Sequence, residues 1–393
     1  MTTIYCGLPV VFSLPDNFGV SVLVLFIFFL SCVFVLVLML FVITLKPSKY
    51  RYTIIPNSTI QNAITFNYTT PNYHNQIIST THFNYSGVCS NVFKYQPNNK
   101  RDLWLTAVGV TSDSYYKKIM KDVPLVLGLA HSSIPHADKV IILFKGYNYS
   151  ELITLAHKNG FKTLEVDMSY IKKCQDASKR FFAFKEYIQN NTEKYDRVLI
   201  SDFRDVFIFA DFFATFSSND LFFTPECTYG GKSCVTLNEW SNKIWMRKGF
   251  GQKVSDGYVK NSSLLINVGT TFGGTEQVLN YVKLMTETMK PERYSEWGHD
   301  QAVHNYIFYT HYFNQRYNFY IENLKEKTIE NTHKNYILDR CSQRFCFKEI
   351  GTIVYDSQKK TLFTKETRCA PVLRHKISAY GLKLDWDGVA QNL

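Results

Sequence analysis

The chain lacks the short signatures of several large enzyme classes. It has no Gly-x-Ser-x-Gly segment, the nucleophile elbow of serine hydrolases, and no Gly-x-x-x-x-Gly-Lys segment, the phosphate loop of nucleotide hydrolases. None of its nine cysteines forms a Cys-x-x-Cys pair, which makes a structural zinc site a weak reading. A formal net charge of +11 would suit nucleic acid, yet no basic run with interleaved aromatics accompanies it, so no nucleic-acid partner is expected. No internal repeat is visible. The sharpest absence is local: not one charged residue lies between Phe18 and Leu45.

That uncharged run is apolar throughout and long enough to cross a bilayer as a helix. It is longer than the apolar core of a cleaved leader and has no small-residue cleavage site, so it reads as a retained signal anchor. The expected organisation is a short tail (1–17), the anchor (18–45), a stem (46–100) rich in Asn, Thr, Ser, Tyr and Gln, and a folded domain (101–385). Lys46, Lys49 and Arg51 follow the anchor and no Lys or Arg precedes it, which by the positive-inside rule favours a cytosolic domain. Asn-x-Ser/Thr sites at Asn57, Asn67, Asn84, Asn148, Asn190 and Asn261 favour the lumen instead. Seven cysteines follow the anchor; Cys227/Cys234 and Cys341/Cys346 are close enough in sequence to bridge short loops, and the odd total leaves at least one thiol free or intermolecular.

With 46% hydrophobic and 16% aromatic residues, the part beyond the stem can build a large core. Strand-like runs at Leu103–Gly109, Lys139–Phe144, Lys162–Val166 and Val198–Ile200 alternate with helical patterns at Ser114–His131 (interrupted near Pro124), Ser150–Asn159 and Ala177–Asn190. Repeated βα units predict a parallel sheet covered by helices. An irregular middle (Phe212 to about Lys260) precedes a strand from Ser263 to Gly269, a helix through Val278, Tyr281, Val282 and Met285, and a helix opened by Asp300.

The run Arg197-Val-Leu-Ile-Ser-Asp-Phe-Arg-Asp205 carries a buried-strand signal into two carboxylates. Ligands of open α/β sheets bind at strand carboxyl ends, and closely spaced Asp202 and Asp205 there suit a hard divalent cation with a phosphate-bearing substrate. The alternative is a solvated turn in which Asp205 pairs with Arg204. Further on stand Glu226 beside Pro225, Asn267-Val-Gly269-Thr-Thr-Phe-Gly273, Trp297-Gly-His-Asp300-Gln301, and His375. Asp300 can equally be a helix cap, Glu226 and His375 ordinary surface groups, and Trp240, Trp245 and Trp297 either sugar-stacking platforms or filler.

The order of these pieces resembles a metal-dependent glycosyltransferase of the GT-A fold: anchor, stem, βα units, strand-terminal Asp motif, Asn-x-Gly strand, Asp-Gln helix and late His. The resemblance covers roughly residues 100–380. It implies a Rossmann-like α/β nucleotide-diphospho-sugar transferase domain behind a transmembrane helix, in a single-pass type II protein of the Golgi membrane with its catalytic domain in the lumen. Asp202, Asp205 and His375 would hold Mn²⁺ (or Mg²⁺). Asp202, Arg204, Asn267 and Gly269 would contact the nucleotide-sugar donor, and Asp300, Gln301 and Glu226 would serve the reacting sugar or a glycan, glycoprotein or glycolipid acceptor; a homodimer is left open. The motif departs from the family's Asp-x-Asp, because two residues separate its carboxylates, and Phe212 stands where the family has Pro after Asp211. Two rivals follow: a membrane-anchored binding protein with a degenerate, non-catalytic form of this fold, and a phosphohydrolase with Asp202 as nucleophile and Asp205 as acid.

Overall fold

The computed structural model describes residues 77–226, 235–312, 329–330, 337–338, 353–364, 368–375 and 383–384. The anchor, the stem up to residue 76, and the Cys227/Cys234 and Cys341/Cys346 pairs lie outside the described residues. Among the described residues no helix is long and apolar enough to cross a membrane.

The described part begins with β1 (Ile77–Ile78) and two 3-10 turns, then enters an alternating series: β2 (Asp102–Val108), α1 (Asp113–Ser133), β3 (Asp138–Phe144), α2 (Ser150–Lys158), β4 (Lys162–Val166), α3 (Asp176–Gln189) and β5 (Arg197–Ser201). Next come β6 (Val206–Ile208), β7 (Leu221–Pro225), α4 (Trp240–Phe250), α5 (Gln252–Lys260), β8 (Ile266–Gly274), α6 (Thr275–Thr288) and α7 (His299–Ile307). The remaining strands among the described residues are β9 (Ile329–Glu330), β10 (Ile337–Leu338), β11 (Ile353–Asp356), β12 (Thr361–Thr364), β13 (Leu373–His375) and β14 (Lys383–Leu384). The central sheet has the order β4-β3-β2-β5-β8-β7-β10-β9. Strands β2 to β5 pair in parallel as the βα alternation demands, whereas β8 runs antiparallel to both β5 and β7. The fold is therefore α/β with a mixed sheet, most of whose strands are parallel.

Burial explains the strands. Leu103, Trp104 and Leu105 of β2 are each wholly buried, as in a strand covered on both faces. Trp104, Ile141, Leu143 and Leu199 point into a core shared with α1 and α2, while Leu103, Leu105, Val140, Val198 and Ile200 face a second core with Phe181 and Phe184 of α3 and Tyr281 and Met285 of α6.

Three expectations are corrected. Pro124 does not interrupt α1, which is continuous over Asp113–Ser133. Its buried face (Ile119, Val123, Val126, Leu127, Ala130) offsets the ~3 kcal/mol that a helix-interior proline costs. The supposedly irregular middle holds β7 and two helices, α4 capped by the Glu239 carboxylate, which accepts the Asn242 N–H. And β8 starts later and extends to Gly274, because β5 and β7 pair with its second half.

The part of the stem that is described, residues 77–100, belongs to the folded unit. The Tyr355 hydroxyl donates to the Ile77 carbonyl (2.6 Å), the Ser79 N–H to the Lys360 carbonyl (2.7 Å), and Cys89 is disulfide-bonded to Cys369 across 280 residues. Asp102 and Arg197, both buried, form a bidentate ion pair (2.7 Å each), and Arg197 also donates to the carbonyls of Gln96 and Phe213.

Candidate metal centre

Strand β5 ends at Ser201, whose Oγ accepts the Trp104 indole N–H (2.8 Å). The Asp202 N–H still donates to the Gly269 carbonyl (2.8 Å), so Asp202 leaves the sheet beside β8, at the carboxyl ends of the parallel strands. After one turn the chain re-enters extended structure as β6. There it pairs antiparallel with β13, in a register that sets His375 opposite Val206, the residue after Asp205.

This pairing brings three ligand groups together. His375 Nε2 lies 3.1 Å from Asp202 Oδ2 and 3.7 Å from Asp205 Oδ1, and one ligand atom from each of the three residues lies within 4.8 Å of the other two. His375 is fully buried and Asp205 is 7% exposed. A six-coordinate cation with ligands at about 2.1 Å holds neighbouring donors about 3 Å apart and opposite ones about 4.2 Å apart. The two separations from His375 fall in that range, so the group can hold a metal ion. Gly269 supplies the clearance: a Cβ there would collide with His375 Cε1 and lie 2.7 Å from Asp202 Oδ2 and 2.9 Å from Asn267 Oδ1.

Behind the carboxylates sits Arg180, on α3 and almost wholly buried. Its guanidinium bonds Asp202 Oδ1 and reaches Asp300 Oδ2 at 3.3 Å. Burial opposes the Arg180 charge, but Asp202 and Asp300 outweigh it and hold the guanidinium firmly protonated. Burial pushes the Asp300 carboxyl above its usual range, with Arg180 pulling the other way. Sequence reasoning missed Arg180. The signal was present, since residues 180, 184 and 188 share one face of α3 and the other two are buried Phe184 and Ile188.

The remaining predicted residues divide. Asn267 is at the site: its Oδ1 accepts the Gly269 N–H (2.7 Å) and its Nδ2 donates to Glu226 Oε2 (3.1 Å), which brings Glu226 into the same group. Asp300 is in the first turn of α7, where Gly298 is the cap residue; its carboxylate meets the Asp300 and Gln301 backbone N–H groups as well as Arg180. Gln301 is bound at both ends of its amide to the β8 backbone, accepting the Val268 N–H (3.1 Å) and donating to the Ile266 carbonyl. Arg204 neither clamps the two aspartates nor pairs with Asp205; it turns to Asp122 of α1 (3.6 Å). Gly273 has a steric role, because a Cβ there would strike the backbone at Asp220. Asp211 accepts both N–H groups of Asn98 (2.8 and 3.0 Å) and so ties the segment before β2 to the turn after β6. Trp240 and Trp297 are exposed, and Trp245 packs on Gly298.

A comparison with protein-family models finds no match, and a comparison with curated protein sequences finds none at a significant level.

Proposed function

We propose that the chain is a metal-dependent glycosyltransferase of the GT-A fold, anchored by residues 18–45 as a single-pass type II protein of the Golgi membrane, with the folded unit in the lumen. The observation that carries the reading is the convergence of Asp202, Asp205 and His375 at the carboxyl ends of the parallel strands, with the Arg180–Asp300 pair behind them. Two carboxylates with one imidazole favour Mn²⁺ over Mg²⁺, because imidazole suits the softer ion. A divalent cation held there would offset the charge that develops on a nucleoside diphosphate as the glycosidic bond breaks.

The protein's own groups then have distinct tasks. Asn267 and Glu226, joined by their hydrogen bond, form one wall at the donor sugar, and Gly269 keeps that wall open. Asp300 is fixed by Arg180 and orients the sugar or acceptor. Gln301 acts at one remove, by holding β8 against α7. The lumenal placement draws support from the Cys89–Cys369 disulfide, which belongs in an oxidising compartment, and from the exposure of the four described sequon asparagines.

A thermal-shift titration of the purified full-length chain with UDP-, GDP- and CMP-linked sugars, with and without Mn²⁺, tests the proposal, since a ligand that binds the native state raises apparent stability. A rise with one nucleotide sugar, only in the presence of metal and lost in Asp205→Asn, is the expected outcome. No rise with any nucleotide sugar, with or without Mn²⁺, from a sample that unfolds cooperatively, would overturn it in favour of the non-catalytic binding protein or the phosphohydrolase.

A further inference from the structure

Strand β4 forms one edge of the central sheet, and an edge strand with a free backbone row invites pairing with another chain unless something covers it. Lys162 and Glu165 of β4 are exposed, and so is Leu164, at 42% of its surface. Between this strand and the end of α3 lies an open groove of about 210 Å³, lined by Leu164, Val166, Ala183, Tyr187 and Asn190 among others. The groove is apolar along β4 and polar at its α3 end. It lies away from the metal centre, which draws none of its ligands from these residues.

Asn190 is the first residue after α3, is exposed, and heads the sequon Asn190-Asn191-Thr192. Its backbone N–H closes the helix on the Glu186 carbonyl (3.1 Å), but its carboxamide makes no side-chain hydrogen bond among the described residues. Of the other described sequons, Asn84 and Asn148 each accept hydrogen bonds from the serine two residues on; Asn261, like Asn190, is exposed just after a helix; and none of the three lines this groove. Next to Asn190, Asn191 donates to the Tyr187 carbonyl (2.8 Å), and the Tyr187 hydroxyl is engaged with that of Tyr195 (3.3 Å). The groove wall is thus held in place while the carboxamide at its rim stays available.

We propose that Asn190 carries an N-linked glycan whose first sugar lies in this groove, covering Leu164 and Tyr187 and shielding the β4 edge. The modification rests on the lumenal placement proposed above, not on the transferase activity. In the transfer step Asn190 Nδ2 forms a bond to C1 of the first sugar of a lipid-linked diphospho-oligosaccharide. The C1–O bond to the diphosphate breaks, the lipid diphosphate leaves with the bonding electrons, and the amide nitrogen gives up one proton to the transferring enzyme. The ring carbons of that sugar then cover apolar surface that would otherwise face water.

The test uses the full-length chain made in eukaryotic secretory cells. Site occupancy is read by peptide mass spectrometry at Asn84, Asn148, Asn190 and Asn261, and melting is compared for the wild type, the wild type trimmed enzymatically to one sugar per site, Asn190→Gln, Thr192→Ala and Asn148→Gln. The expected result is a glycan on Asn190, with wild-type melting kept after trimming. Both Asn190→Gln and Thr192→Ala should lower the melting temperature by about 2 °C, the shift that about 1 kcal/mol makes in a domain of this size, while Asn148→Gln should not. Because Thr192→Ala leaves Asn190 in place, agreement of the two variants separates loss of the sugar from the substitution itself. An unmodified Asn190 beside an occupied Asn84, Asn148 or Asn261 would overturn the glycan and spare the lumenal placement, and no occupancy anywhere would overturn both. A modified Asn190 whose loss leaves melting unchanged would overturn the seating of the sugar in the groove.

Discussion

His375 Nε2 and Asp202 Oδ2 meet at 3.1 Å although 173 residues separate them in the chain. The contact is made by a short ladder, β13 against β6, and by the tie between the Asp202 N–H and Gly269. Each of these supports can be tested separately.

Gly269 is the tightest point. Gly269→Ala forces a methyl group between His375 and Asp202, so metal affinity should fall about 10- to 100-fold, the range seen when groups that orient metal ligands are disturbed. Overpacking should also cost about 1–3 kcal/mol of stability. Isothermal titration with Mn²⁺, paired with urea unfolding, measures both; wild-type metal affinity in the variant would show that the clearance has no role.

Arg180→Met removes the cation shared by Asp202 and Asp300 and leaves Asp300 buried without it. Breaking a buried pair from one side typically costs about 3–5 kcal/mol. Asp300→Asn in the same background should recover part of that loss. A double-mutant cycle in urea should therefore return a clear coupling energy, and strictly additive losses would mean that the two residues act independently.

The Cys89–Cys369 bond lies six residues before His375, and the same segment is held by the Tyr85 hydroxyl on the Pro371 carbonyl (2.7 Å) and by the Phe209 N–H on the Val372 carbonyl (2.8 Å). Reduction, or Cys369→Ser, should lower stability by about 2–5 kcal/mol and weaken metal binding, while the circular dichroism of the central sheet persists. Cys174→Ser, at a thiol that takes no part in this bond, is the control and should change neither.

Far from the site, Asp138 gives a pH signature. Burial raises its pKa, but hydrogen bonds from Lys162, Lys194 and Tyr195 outweigh this and hold it at about 2. The folded value lies below the unfolded one, so the stabilisation is complete above the unfolded value near 4 and is lost as pH falls from about 4 to 2. Asp138→Asn should flatten acid unfolding across that window; an unchanged slope there would remove Asp138 as its source.

The parallel half of the sheet was legible because each βα unit is local: an apolar strand run, a turn and an amphipathic helix are written in consecutive residues. Asp202, Asp205 and Asn267 were legible for the same reason, as polar residues placed at the ends of buried strands. Arg180 was hidden because a charge on an apolar helix face shows its meaning only when the carboxylates it meets are known. Arg204 misled because adjacency in sequence to Asp205 is not adjacency in space: the turn after β5 sends its side chain to Asp122.

By itself, then, the sequence determined the strand and helix alternation, the uncharged span from Phe18 to Leu45, and which polar groups stand at strand ends, since all of these follow from the order of apolar and polar residues along short stretches. Only the tertiary structure decided that β8 would run antiparallel beside β5, that Cys89 would bond Cys369, and that β13 would carry His375 to the two aspartates. Those contacts join segments far apart in the chain. They follow from how the packed layers share one core and one sheet, which no local pattern specifies.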